Sequence, residues 1–112
     1  MFWILIAAAA WLFGEAFPGI ASIGKTVKYT TGRVTAAMAQ HAAIAGLAGA
    51  GAVTAHFWPL WAVTAYLALN IITVIASHGQ EYKSTPGRVA LGTALQWGIA
   101  VLFVLAALRL GH

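Results

Sequence analysis

The chain has 112 residues, 62% of them apolar and 7% charged, with no cysteine and a formal net charge of +4. A soluble domain spends about a quarter of its residues on Asp, Glu, Lys and Arg, whereas this chain has six basic and two acidic residues in all. That composition excludes a soluble enzyme, a disordered tail and a disulfide-stapled secreted domain, and it makes lipid the principal solvent.

Four apolar segments follow one another. The first covers about 1–24 and is interrupted by Glu15 and by Pro18-Gly19. It lacks the basic n-region of a signal peptide, so it is read as retained. A basic gap, Lys25 to Arg33, leads to a second segment at about 34–55 dominated by Ala and Gly. The third, about 57–77, is richer in Trp, Leu, Ile and Val. A polar gap, His78 to Arg88, precedes the fourth at about 89–108. The last three each approach the ~20 residues that cross a hydrocarbon core of ~30 Å. Backbone polar groups cannot stay unpaired in lipid, so each segment is expected to be a helix. A three-span alternative would send the stretch after Phe13 along the interface. Four spans are preferred, because one Glu costs only a few kcal/mol to insert. No repeat stands out beyond a rough hairpin symmetry.

The joint His56-Phe57-Trp58-Pro59-Leu60-Trp61 is short, with Pro suited to a first helical turn and two Trp to the headgroup level. It makes a tight helical hairpin. The two gaps hold five of the six basic residues and this joint holds none. Since Lys and Arg collect in cytoplasmic loops, both gaps are expected in the cytoplasm and both termini outside, with Arg109 snorkelling. The same placement in short gaps argues against a nucleic-acid partner, which would need a basic face. The expected membrane is a bacterial inner membrane or a virus-derived one.

Depth brings out a polar layer. At ~1.5 Å of rise per residue, Glu15 lies ~13 Å in from the basic edge. By the same rise Gln40 and His41 lie ~9–11 Å deep, and Asn70 and Gln96 ~10 Å deep. Polar groups in hydrocarbon seek one another, and an intramembrane acid is a functional candidate by default. Glu15 with His41 is the natural pair. Interhelical hydrogen bonds of ~0.6 kcal/mol each are the plainer purpose of such a layer.

A second feature is the small-residue surface of the second segment, where Ala42, Gly46 and Ala50 recur at four-residue spacing, as do Ala45 and Gly49. Small residues let helices approach closely, either within the bundle or at a subunit interface. No cofactor is predicted, although a lone imidazole at His41 is compatible with haem iron or chlorophyll magnesium. No two histidines share a helix face at zinc-binding spacing. No Ser-His-acid set, phosphate loop or carboxylate pair is present, so no enzyme activity is expected.

In length, helix number and a single acid in the first helix, the chain resembles the small multidrug resistance transporters. Glu15 stands about where that family keeps its proton- and substrate-binding glutamate, and Trp61 and Gly79-Gln80-Glu81 are loosely similar. After Trp61 the chain reads Ala-Val-Thr-Ala-Tyr, without that family's third-helix glycines. The overlap is one of size and one residue, and membership does not follow.

The expected fold is therefore an all-α integral membrane bundle of four transmembrane helices in two hairpins, N-out and C-out. Three functions compete. The first is a structural or accessory subunit that docks on other membrane subunits, or on itself, through the small-residue face. The second is a proton-coupled small transporter using Glu15. The third is a phage holin-like pore former, for which Arg109 to His112 is a poor charged tail.

Overall fold

The computed structural model describes residues 1–111, a bundle of 43 × 23 × 19 Å. It is all-helical apart from one short ribbon. The helices are α1 (Phe2–Ala21), α2 (Thr31–Thr54), α3 (Pro59–Ala76) and α4 (Pro86–Leu110). All four are long and apolar enough to cross a membrane, and the bundle's length matches a bilayer of ~40–45 Å with its headgroups. The four-span expectation thus stands at the level of helix number and length.

The helix starts lie earlier than apolar content alone indicated. Thr30 accepts from the backbone N–H of Arg33, and Thr85 from that of Arg88, so each gap ends in an N-cap that starts a helix before the apolar run. α1 runs through Pro18, whose missing N–H costs the helix one hydrogen bond.

The gaps themselves are not loops. Thr26–Lys28 (β1) and Glu81–Lys83 (β2) pair antiparallel, with Val27 opposite Tyr82 at the centre. Four further backbone bonds extend the ribbon. Gly24 N–H donates to Ser84 O and Gly79 N–H to Tyr29 O, while Tyr29 N–H donates to Gln80 O and Ser84 N–H to Lys25 O.

Those bonds come in equivalent pairs, because the chain is an internal duplication. At a constant spacing of 55 residues, Ser22, Gly24, Lys28, Thr30, Gly32, Arg33 and Val34 recur as Ser77, Gly79, Lys83, Thr85, Gly87, Arg88 and Val89. About one aligned position in three is identical across the two halves, with no gap, including Phe2-Trp3 with Phe57-Trp58 and Leu12 with Leu67. The absence of a repeat, expected above, is corrected by this. Gly24 and Gly79 both take positive φ, +87° and +82°, which a side chain rarely adopts. Leu5 and Leu60 are equivalent and fully buried, as are Ala48 and Phe103. A pseudo-twofold axis therefore passes between Val27 and Tyr82 and down the bundle.

The axis sets the packing. α2 lies along α3, and α1 lies along α4, whereas these two pairs meet each other sparsely. The first pair is the expected sequential hairpin. The second joins the terminal helices and is no hairpin. Both termini, the α2–α3 turn and Arg109 share one end of the bundle. The ribbon and five cations occupy the other. Arg109 is held by structure: its guanidinium donates to Ala55 O and His56 O, both at 3.1 Å, and covers the Phe57 ring. It caps α2 instead of extending into a charged tail; His112 lies outside the described residues.

Close approach happens at Gly51, where a Cβ would lie 2.8 Å from Leu60 Cδ1 and 3.1 Å from Leu5 Cδ2. The expected small-residue face divides. Gly49 faces Trp61 and Thr64, and Thr64 donates to Ala45 O, so that part packs on α3. Ala50 is half-buried, Ala42 is exposed, and Gly46 has open space beside it.

Gly51→Val overpacks this junction and lowers the unfolding free energy in detergent by ~1–3 kcal/mol. Gly46→Val leaves it within ~0.5 kcal/mol; equal losses would misplace the close contact. His56, at φ 51°, ends α2 in the left-handed region where the equivalent Gly111 ends α4. His56→Gly is expected to stabilise by up to ~1 kcal/mol, read as a raised thermal midpoint.

Candidate functional site

Glu15, Gln40, His41, Asn70 and Gln96, from all four helices, line a single cavity of about 220 Å³. Each is half-buried. The depth argument placed them in one layer, and the bundle brings them to one point. Leu12, Ile44, Leu67, Leu95 and Ile99 supply apolar walls, with Tyr66 and Gly92 completing the lining.

Glu15 is the cavity's only acid. Its Oε2 accepts from Gln40 Nε2 on the facing pair and, at 3.3 Å, from Gln96 Nε2 on α4. Gln96 Nε2 also donates to Leu12 O at 2.6 Å. One carboxylate oxygen is thus held by amides from both helix pairs. Side-chain amides suit this because they donate without adding charge in a low-dielectric site.

His41 sits in the same cavity but is not Glu15's hydrogen-bond partner. Its Nδ1 lies 2.7 Å from Ala37 O, one turn back on α2. A carbonyl only accepts, so Nδ1 carries a proton and donates it to Ala37 O. The expected Glu15–His41 pair is replaced by Glu15 with Gln40 and Gln96. Local geometry explains it: an imidazole can return to its own helix backbone, while glutamine reaches further. Of the other described histidines, His56 lies in the turn and His78 Nε2 is 3.0 Å from Thr31 Oγ1 near the ribbon. Among the described residues, no three His, Asp or Glu cluster as metal ligands do.

Sequence reasoning missed two contributors. Tyr66 reads as an ordinary aromatic, although it is one turn before Asn70 on the same α3 face. Arg33 reads as a loop cation. It lines a second cavity of about 400 Å³ that shares Glu15, Gly92 and Gln96 with the first and extends to Ser22 and Val27 beneath the ribbon. Glu15 is therefore reached from the basic end. Outside both cavities Trp97 ties α4 to α1: its indole donates to Phe13 O at 3.2 Å and stacks on the Phe13 ring at 5.0 Å.

The chain matches no known protein family, no curated protein and no solved structure. What the cavity can do rests on its own chemistry. It is an acceptor-rich, apolar-walled chamber with one acid, suited to a proton or to a small cation.

Gln96→Leu removes two hydrogen bonds that tie α4 to α1, while Gln40→Leu removes one across the pairs. The first is expected to lower thermal stability more, by ~1–3 kcal/mol against ~1 for the second. The reverse order in matched detergent melts would show that the Gln40 bond, not the Gln96 pair, holds the acid.

Proposed function

We propose that the protein is a proton-coupled membrane carrier of a small cationic solute, with Glu15 binding proton and solute in turn. The observation that carries this is the convergence of five polar side chains from four helices on one cavity, where two amides hold its single carboxylate. Packing alone would be served by scattered hydrogen bonds. A chamber built around a single acid has a reason in binding.

The helix arrangement fits the task. Glu15 and Gln96 belong to the α1–α4 pair, and Gln40, His41 and Asn70 to the α2–α3 pair. Two closely packed pairs with sparse contact between them can rock about a site held jointly, the usual basis of alternating access. Loss of the Gln40 bond on cation binding would free one pair from the other. The basic ribbon end faces the cytoplasm of a bacterial-type membrane and both termini face away, by the distribution of Lys and Arg.

A second reading, docking as an accessory subunit, is favoured by one observation: Ala42 and Gly46 leave an open strip on α2. It predicts that the chain extracts in mild detergent with other chains and that Gly46→Leu releases it.

The carrier reading is tested in proteoliposomes loaded with a pH-sensitive dye, under imposed gradients of tetramethylammonium or tetraethylammonium. These quaternary ions cannot carry a proton themselves, so any dye response reports exchange. Glu15→Gln is expected to reduce that exchange by about a hundredfold or more, the scale of losing a proton-transferring group. Exchange undiminished in Glu15→Gln, or absent for both ions with the intact chain, would remove the reading.

A further inference from the structure

The duplication reaches into the cavity. At the same spacing of 55 residues, Glu15 corresponds to Asn70, His41 to Gln96 and Gln40 to Leu95. All six line the cavity. The apolar walls pair likewise, Leu12 with Leu67 and Ile44 with Ile99. The chamber therefore sits on the pseudo-twofold axis that the ribbon defines, and each half of the chain supplies half of it.

We propose that Glu15–His41 and Asn70–Gln96 are two equivalent half-sites of one axis-centred binding site, and that its single acid works from either half. This deepens the carrier reading and rests on it.

Three observations carry the equivalence. The ribbon register is symmetric, since Thr26 pairs with Lys83 and Lys28 with Glu81 about the central Val27–Tyr82 pair. The helix pairs exchange under the axis, α1–α4 for α3–α2. Within each pair the polar positions also correspond: Glu15 on α1 meets Gln96 on α4, and Asn70 on α3 and His41 on α2 take the equivalent places in the lining of the same cavity. Because α1 and α3 run in the same direction, the axis lies along the bundle, and an acid moved from one to the other stays at the same depth.

Asymmetry then has a definite meaning. Two acids facing each other across the axis would repel and would demand two charges from the ligand. Asn70 fills the second place with a neutral group, so the site takes one positive charge at a time. Leu95, in place of a second Gln40, leaves the half opposite the acid one amide donor poorer. The second half is thus a specificity element that fixes the charge of what binds.

The test is to move the acid. E15N alone should lose the tetraethylammonium–proton exchange. E15N/N70E should regain it to within about tenfold of the unaltered chain, the deficit reflecting a lost hydrogen bond to the charged group, since Leu95 stands where Gln40 would. Exchanging the whole set, by adding Q40L, L95Q, H41Q and Q96H, should bring it to within about threefold, on the scale of ordinary context effects between neighbouring sites. A second readout is labelling by a lipid-soluble carbodiimide. In the exchanged chains it should modify position 70 and be blocked by tetraethylammonium.

If E15N abolishes exchange and neither moved acid restores it in a folded chain, the equivalence fails while the carrier reading stands. Exchanged chains that do not fold count equally against it, because equivalent places must accept each other's side chains. If E15N leaves exchange intact, the carrier reading itself fails.

Discussion

Antiparallel pairing of two three-residue strands is the contact on which the rest of this molecule depends. Each strand sits between the helices of one repeat. Joining the strands fixes how the repeats face each other. With Val27 opposite Tyr82, the repeats cross, so that α1 packs on α4 and α3 on α2. Each helix pair then has one member from each half, and the cavity falls between the pairs. The pairing of β1 with β2, and the flanking bonds from Gly24, Gly79, Tyr29 and Ser84, also satisfy main-chain donors and acceptors where the chain crosses between helices at the basic end.

Inside lipid, burying apolar surface between helices gains little over leaving it against acyl chains. The bundle relies on other forces, and they are divided along its length. At the end with the termini, Leu5, Leu60 and Gly51 pack by direct contact, with Arg109 closing the last carbonyls of α2. Toward the ribbon, amide-to-carboxylate and amide-to-carbonyl bonds take over, from Gln40 and Gln96. The closely packed end and the polar, hollow end are thus separated, which places the ionisable group where side-chain hydrogen bonds, and not direct apolar packing, join the helix pairs.

Much of this was legible in the chain, but unevenly. Composition and segment length gave four helices, because the backbone has no alternative in hydrocarbon. Depth counting brought Glu15, Gln40, His41, Asn70 and Gln96 into one layer, since helical rise is nearly constant. Their partners were not legible: that His41 returns to Ala37 O and leaves Glu15 to two amides depends on rotamers. The ribbon escaped because three-residue strands carry no periodicity and their pairing joins residues far apart in sequence. The duplication escaped for another reason. Ala- and Gly-rich segments look alike by composition, and the informative matches are densest in the loop-to-helix stretch from Ser22 to Val34 and its copy. Gly51 was overlooked because four-residue spacing drew attention to Ala42, Gly46 and Ala50. The closest approach lies one residue past that row, facing the axis.

The two halves have kept the same frame and diverged in what they place on it. Core positions on the axis stay apolar in both, as Leu5 and Leu60 or Ala48 and Phe103 do, because any departure there would unseat the helices. Outward positions drift freely: Ala42 and Gly46 have Trp97 and Val101 as counterparts. Cavity positions follow neither pattern. Two of them stay polar in both halves but change chemistry, with Glu15 against Asn70 and His41 against Gln96, and a third exchanges Gln40 for Leu95. The path from the ribbon end is unequal too. The cavity lined by Arg33 reaches Glu15 and Gln96, whereas the one lined by Arg88 and Lys83 includes neither Asn70 nor His41. A symmetric frame would open both half-sites alike. The acid lies on the side with the deeper opening, which joins charge and access in one place.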